Sequence, residues 1–376
     1  MSPTVKLLRE LIARPSVNPA FLPAGSSMGG EQRVAEFIAA TARKAGLGVE
    51  FQRVFPGRQN VVARLIPAGK VRQRILLAPH MDTVGVASEL QFVPRAKNGR
   101  IYGRGACDTK GSVASMLRAV CEMAGRRERP QNTEIIFAGL VDEENNQSGS
   151  RALGQSGMEA DLAIVGEPTR LRVMTAHKGD LWLQLETRGK AAHGAKPHLG
   201  RNAVHEMARI VDLLETTYAR QLRRKRHPLL GIGTINVGSI RGGTQPNLVP
   251  DACVISVDRR TLPGENEGTV RREIQDLLWR HQRKARLINR KNSICPPMET
   301  SPRLKLVAQF LGAAGQMEGC GADFFCDAAI LSEAGIPSVV FGPGDIAQAH
   351  TVDEWVSSAQ LDRATALLGR FLQSLP

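Results

Sequence analysis

Several features that mark common protein classes are scarce or missing in this 376-residue sequence. Aromatic residues make up only 4%, which is little for a surface that stacks nucleic-acid bases. No apolar stretch approaches the ~18 residues that a membrane-spanning helix needs, and the first residues lack the apolar region of a secretion signal. The six cysteines form no CxxC pair. We therefore expect unpaired thiols in a reducing cytoplasm and no membrane partner.

Positive charge, by contrast, is abundant and unevenly distributed. Lys and Arg number 50 against 36 Asp and Glu, a formal charge of +14. Residues 178–294 hold 22 Lys and Arg against 11 Asp and Glu, so +11 of the charge lies in that segment. A basic segment is compatible with a nucleic-acid partner, with steering of anionic substrates, or simply with a solvated surface. The scarcity of aromatic residues disfavours the first of these.

The two ends of the chain have the pattern of an α/β domain. Short runs such as 75–78, 134–138 and 161–165 are apolar on both faces of a strand, and helical periods alternate with them. Such runs are typical of a sheet that is covered by helices on both faces.

The middle of the chain has a different pattern. Residues 180–186 and 253–258 alternate between apolar and polar, as half-exposed antiparallel strands do. Helical periods occupy about 201–222 and 267–286. We predict an α+β sandwich at 178–294, inserted into a domain built from residues 1–177 and 295–376.

Candidate metal ligands lie just beyond predicted strands, where open α/β sheets place their sites. His80 and Asp82 follow the run at 75–78, Glu143 and Glu144 follow the run at 134–138, and Glu167 follows the run at 161–165. Consecutive carboxylates repel one another, and a cation would offset that repulsion. Each group alone is equally compatible with an ordinary polar turn.

Two glycine-rich loops complete this set. Asp108 lies in GRGACDTKG at the start of a predicted helix, where it is also a candidate helix cap. The loop matches neither GxGxxG nor the P-loop pattern, so a nucleotide site is excluded. His350 ends the loop GPGDIAQAH. Two histidines and several carboxylates together make a donor set that suits two divalent ions.

The sequence resembles the cocatalytic zinc amidohydrolases, the family that includes acetylornithine deacetylase, succinyl-diaminopimelate desuccinylase and glutamate carboxypeptidase. The resemblance keeps motif order over nearly the whole chain. The matching stretches are PHMDTV (79–84), YGRGACDTKG (102–111), DEEN (142–145), GEPT (166–169), KAAHGAKP (190–197), PNLVPDACVISVDRR (246–260) and GPGDIAQAHTVDEWV (342–356). It implies a mixed-sheet zinc-hydrolase catalytic domain with an inserted lid and dimerisation domain.

The resemblance also implies a role for each metal-site residue. His80 and Glu167 would bind one zinc, Glu144 and His350 would bind the other, and Asp108 would bridge both. Asp82 would orient His80, and Glu143 would be the general base on a metal-bridged water. Cobalt or manganese could replace zinc.

Three residues of the inserted segment receive roles from the same resemblance. His193 would stabilise the oxyanion of the partner subunit's reaction in a homodimer. Arg260 would grip the substrate carboxylate and Asn247 would assist it. The family pattern D-x-R places this arginine at Arg260 rather than at Arg259. Asp258 and Arg260 share one strand face, while Arg259 points the other way.

The predicted activity is hydrolysis of the amide bond of an N-acyl amino acid with a free carboxylate. A glutamate-carboxypeptidase-like exopeptidase is the alternative, since it would use the same metal and base residues. A non-catalytic basic binding protein on this scaffold is a third reading, which an intact ligand set disfavours. Small substrates and a second copy of the chain are the expected partners.

Overall fold

A computed structural model describes residues 1–289 and 294–376, and it divides the chain into two compact units. Unit 1 comprises Met1–Thr175, Thr300–Cys320 and Cys326–Pro376. Unit 2 comprises Ala176–Glu299 and Gly321–Phe325. Of the five residues 321–325, Asp323 pairs with the Lys178 ammonium at 2.6 Å, an ion pair that keeps this segment with unit 2.

Unit 1 is an α/β unit built on a mixed sheet. The strands that build unit 1 are β1 Gly48–Phe55, β2 Arg58–Leu65, β3 Gln73–Pro79, β4 Arg95–Lys97, β5 Arg100–Tyr102, β6 Thr133–Gly139, β7 Leu162–Gly166, β17 Ser338–Val340 and β18 Trp355–Ser357. The chain passes into unit 2 within β8 Met174–His177 and again within β16 Cys320–Ala322. The order of strands in the mixed sheet is β1-β2-β6-β3-β7-β17-β8. Strand β3 is parallel to both β6 and β7, so their carboxyl ends lie along one edge of the sheet.

Helices cover this sheet because its strands are apolar on both faces. The helices of unit 1 are α1 Pro3–Ile12, α2 Gln32–Lys44, α3 Lys110–Ala124, α4 Ser148–Gln155, α8 Lys305–Ala314, α9 Asp327–Glu333 and α10 Ser358–Gln373. Ile75 and Leu77 of β3 belong to the large core that includes α1, α3 and α10. Leu76 and Ala78 are equally buried but point to the opposite face of the sheet. Helix α9 contacts β7 and β17, and it also packs against α4. The prediction of an α/β fold with a mixed sheet is confirmed.

Unit 2 is an α+β unit in which an antiparallel sheet carries helices on one face. Its elements are β9 Gly179–Arg188, α5 Ala203–Asp212, α6 Ala219–Leu222, β10 Arg226–His227, β11 Gly231–Ile232, β12 Thr234–Gly242, β13 Ala252–Thr261, α7 Glu267–Arg280, β14 Arg286–Asn289 and β15 Met298–Glu299. The antiparallel sheet has the order β12-β13-β9-β14. Alternate residues of β9 and β13, such as Leu183 and Ile255, pack on α5 and α7, whereas Trp182 remains exposed.

Two predicted helices of unit 2 differ in detail. The helical period at 201–222 is one continuous path, but it contains a π-helical turn at Leu213–Tyr218 between α5 and α6. The period at 267–286 extends too far, because α7 ends at Arg280. Gln282 then has a φ of +55°, a left-handed conformation that interrupts the helix before β14 begins at Arg286.

Within the described ranges 1–289 and 294–376, no helix has the length and apolar character to cross a membrane.

Candidate metal centre

The carboxyl ends of the parallel strands in unit 1 bring two histidines and five carboxylates together. His80 follows β3 directly, Glu143 and Glu144 follow β6, and Glu167 follows β7. Asp108 precedes α3, and His350 lies in the loop between β17 and β18 with a φ of +61°. The peptide bond between Asp108 and Thr109 is cis.

Two groups of potential ligands share Asp108. Its Oδ1 lies 3.1 Å from His80 Nε2, and its Oδ2 lies 3.2 Å from His350 Nε2. Glu167 Oε1 is 3.7 Å from His80 Nε2, and Glu144 Oε2 is 3.2 Å from His350 Nε2. The candidate ligand atoms within each group, His80–Asp108–Glu167 and Asp108–Glu144–His350, all lie within 4.8 Å of one another. The Asp108 carboxylate therefore faces two histidines rather than capping α3.

The electrostatics of these groups favour bound cations. Burial, together with the neighbouring carboxylate of Asp108, raises the pKa of Glu144 to about 7. Burial also raises the pKa of Glu143 and of Glu167 well above the usual range. Glu144 Oε1 is buried and accepts no hydrogen bond from the described residues. Two imidazoles, a shared carboxylate and an unsatisfied carboxylate oxygen are the donor chemistry that divalent metals use.

The buried carboxylate of Asp82 contacts both His80 and the backbone of the two consecutive glutamates. Its Oδ1 lies 3.4 Å from His80 Nδ1, the ring nitrogen that faces away from Asp108. The same Oδ1 accepts a hydrogen bond from the backbone N–H of Glu143, and Oδ2 accepts one from the N–H of Glu144, each at 3.1 Å. Asn18 donates to Oδ2 at 2.7 Å. One buried carboxylate thus positions a histidine and both consecutive glutamates.

A second buried network holds the loop that carries those glutamates. The Arg58 guanidinium binds both carboxylate oxygens of Glu31 at 2.6 and 2.7 Å, and it reaches Asp142 Oδ1 at 3.1 Å. Glu31 also accepts the backbone N–H of Asp142 at 3.1 Å. Asp142 needs this support because its φ is +67°, in the left-handed region that non-glycine residues rarely adopt.

The loop of Asp108 is held by Glu354, a residue that no pattern in the sequence singles out. Glu354 Oε1 accepts hydrogen bonds from the backbone N–H groups of Cys107 at 2.8 Å and Asp108 at 3.0 Å. Its Oε2 accepts from Gly105 N at 3.0 Å and from Arg104 Nη1 at 2.7 Å. The available signal was Arg104, but the same loop holds a second cation, Lys110, so the sequence alone could not indicate which of them takes a buried carboxylate partner.

The three candidate residues of unit 2 fall into two places. His193 and Asn247 lie close together. An antiparallel β-bridge joins His193 to Leu248, and the backbone N–H of Gly194 donates to the carbonyl oxygen of Asn247 at 2.7 Å. Both side chains are exposed. Arg260 lies on β13, where its Nε is 3.0 Å from Asp258 Oδ1 and 3.8 Å from Asp180 Oδ1.

The neighbouring arginine has a purely internal environment. Arg259 is fully buried, and its Nη2 makes two 2.8 Å hydrogen bonds to the Glu265 carboxylate. The two arginines therefore point to opposite faces of β13, as the strand period requires. The side chain of Arg260 is 29% exposed to solvent, so Arg260 is the arginine that a ligand could reach.

Comparisons with known proteins agree with this architecture. The sequence model of peptidase family M20/M25/M40 matches residues 76–374. The chain is 31% identical over 358 residues to an acetylornithine deacetylase of Myxococcus xanthus, covering 89% of this chain and 90% of that protein.

Solved structures share the fold at lower identity. Aminopeptidase PepT from Bacillus cereus is 21% identical with a TM-score of 0.80, covering 99% of this chain and 97% of its own. The YXEP protein of Bacillus subtilis, described as a dinuclear metal-binding peptidase, is 14% identical with a TM-score of 0.72, covering 98% and 96%. The family match and the deacetylase relative confirm the resemblance seen in the sequence: this chain is a hydrolase that belongs to the M20/M25/M40 peptidase family.

Proposed function

We propose that this protein is a dinuclear metal-dependent amidohydrolase that cleaves the amide bond of an N-acyl amino acid, as acetylornithine deacetylase and succinyl-diaminopimelate desuccinylase do. The observation that carries the proposal is the pair of ligand groups that share Asp108, with Glu143 beside them and in neither group. The deacetylase relative supports the acyl amino acid as substrate class.

The residues present fit a pair of divalent ions. His80 and Glu167 would hold one ion, Glu144 and His350 the other, and Asp108 both; zinc suits this mixture of imidazole and carboxylate, and cobalt or manganese could replace it. Bound ions of this kind supply Lewis acidity and lower the pKa of water towards neutrality. Asp82 would keep His80 in the orientation and tautomer that leave Nε2 facing Asp108.

Glu143 is the residue we assign as general base. Its backbone N–H is tied to Asp82, which sets the start of its side chain beside the ligand groups. Its carboxylate interacts electrostatically with both His80 and Glu167. In the proposed reaction it removes a proton from the attacking water and returns it to the leaving nitrogen, so that an amine and a carboxylic acid are released.

Unit 2 would supply substrate recognition. We assign Arg260 to the substrate carboxylate, because a guanidinium can bind a carboxylate through two parallel hydrogen bonds. Asp258 already occupies part of that guanidinium, so a substrate would have to compete with or replace it. Asn247 would assist, and an exposed His193 would donate to the oxyanion in a homodimer that forms through this unit.

Two measurements on the purified chain test the proposal. Metal analysis should give about two zinc, cobalt or manganese ions per chain, and less than one ion with no activity after adding metal would refute the hydrolase reading. N-acetyl, N-succinyl and γ-glutamyl or folyl-type substrates should then be compared with zinc and with cobalt. Preference for the last group would favour the glutamate-carboxypeptidase-like alternative, and turnover of none would refute both readings.

A further inference from the structure

On one face of a small sheet in unit 1, positively charged side chains outnumber the carboxylates near them. Strands β4, β5 and β18 form a three-stranded antiparallel sheet. The alternate residues Ile101 and Val356 are buried on its inner face. The outer face displays two rows of directly opposed residues, namely Arg95–Tyr102–Trp355 and Lys97–Arg100–Ser357.

The aromatic residues of this face hold the arginines in place. The guanidinium carbon of Arg100 lies 3.8 Å from the centre of the Trp355 ring, and that of Arg95 lies 5.9 Å from the centre of the Tyr102 ring. Stacking on a ring uses the flat side of a guanidinium and leaves its N–H groups, which lie in the plane, free to donate. Arg100 is therefore an ordered donor rather than a freely moving surface charge, whereas Arg95 lies at the outer limit of contact with its ring.

The arrangement of the cations is unfavourable by itself. Lys97 and Arg100 are direct cross-strand neighbours, and like charges in that position repel. Among the residues that the structure describes, none of the carboxylates pairs with Lys97, Arg100 or Arg95. A bound anion would turn this repulsion into attraction.

A cavity of about 710 Å³ lies over this face. Its lining includes three cations against one carboxylate, Asp353. The far wall is formed by Ala347, Gln348 and Thr351, from the loop that also carries His350. The volume falls in the range of small-molecule sites and exceeds what a single inorganic ion fills.

We propose that this cavity binds a small metabolite with two negative charges, on one phosphate or on two carboxylates, held between Lys97, Arg95 and the stacked Arg100. A ligand that touches both the sheet and Gln348 or Thr351 would also restrain the loop of His350. None of the cavity residues is a candidate metal ligand or the candidate base. The inference thus stands independently of the proposed hydrolytic activity.

Trp355 provides a local probe of this site. The chain has three tryptophans, and the double substitution Trp182→Phe/Trp279→Phe leaves Trp355 as the only one in the metal-loaded chain of 376 residues. Inorganic phosphate and glutarate are then titrated separately while Trp355 fluorescence is recorded. Saturation by phosphate alone would identify a phosphorylated ligand, and saturation by glutarate alone would identify a dicarboxylate.

The charge-removing variant Lys97→Gln/Arg100→Gln, made in the same background, should weaken binding by about tenfold or more, because two charge-assisted contacts are lost. Arg303→Gln/Lys305→Gln removes the same charge from an exposed place in unit 1 and should leave binding unchanged. No saturable signal from either anion up to about 10 mM, or equal weakening in both variants, would overturn the proposal. Slower amide exchange at residues 347–353 on ligand addition would verify the restraint on the loop, and unchanged exchange in the saturated protein would refute it.

Discussion

Removing the Glu354 carboxylate should destabilise the protein strongly, although this residue lies in neither ligand group. The side chain is 1% exposed and its partner Arg104 is 4% exposed. Glu354→Ala leaves Arg104 without its carboxylate and removes the acceptor of three backbone N–H groups at once. Breaking a buried ion pair by deleting one partner costs about 3–5 kcal/mol, and we expect a loss of that size in the free energy of unfolding.

The same substitution should affect activity through the position of Asp108. Two of the lost hydrogen bonds hold the backbone at Cys107 and Asp108. A displacement of about 1 Å in a reacting group costs about 100-fold in rate, so kcat should fall by about that factor. Glu354→Gln should fall between Ala and the native residue, since the amide oxygen can still accept these two bonds while its NH₂ group faces the donors Arg104 and Gly105.

Urea denaturation of the metal-free chain measures the loss in the free energy of unfolding without a contribution from metal binding. Turnover of an N-acyl amino acid by the metal-loaded chain measures the fall in kcat. Glu128→Ala, at an exposed position, serves as control and should change the free energy of unfolding by less than about 0.5 kcal/mol. If Glu354→Ala is as stable as this control, the carboxylate is not holding the Asp108 loop and the reasoning is wrong.

Four further predictions follow from the two units. Glu143→Ala should keep its metal content and lose activity by several orders of magnitude, as metal analysis and kinetics on the same sample would show. His193→Ala should lower kcat rather than metal content, and mixing it with the Glu143 variant should restore some activity if the histidine acts on the partner subunit. Arg260→Ala should raise KM for substrates with a free carboxylate, while an ester-capped substrate is affected less. Burial lowers the pKa of His177 to about 4, below its ordinary value of 6.5. The free energy of unfolding should therefore fall by about 1.4 kcal/mol per pH unit as pH falls from 6.5 towards 4, because only the unfolded chain binds the proton in that range. Above pH 6.5 this group should cause no such loss.

Each of these predictions has a result that contradicts it. Near-normal turnover by the Glu143 variant would remove it from the role of base. Failure of the mixed variants to regain activity would place the His193 contribution within its own subunit or nowhere. An unchanged KM in Arg260→Ala would move the carboxylate site elsewhere. A His177→Gln variant that shows the same pH slope as the native chain would mean that another group causes the acid sensitivity.

Three of the candidate metal ligands, His80, Glu144 and Glu167, could be predicted from the sequence because each lies just beyond an apolar strand. Strand periodicity and the position of His80, Glu144 and Glu167 just after their strands are local properties, and parallel strands bring such residues to one edge. The loop that carries His350 was recognisable by motif rather than by periodicity. Domain roles and the assignments to His193, Asn247 and Arg260 remain predictions, because they rest on resemblance.

Local patterns in this sequence predicted the strands, most of the helices and the candidate ligand residues, and its motifs indicated the family. Only the tertiary structure decided what holds that set in place. Glu354 lies 246 residues from Asp108, and Asp142 lies 111 residues from Glu31, so neither pairing leaves a periodic trace in the sequence. The like-charged face at Lys97 and Arg100 also became visible only with the strand register, because register determines which side chains stand opposite one another.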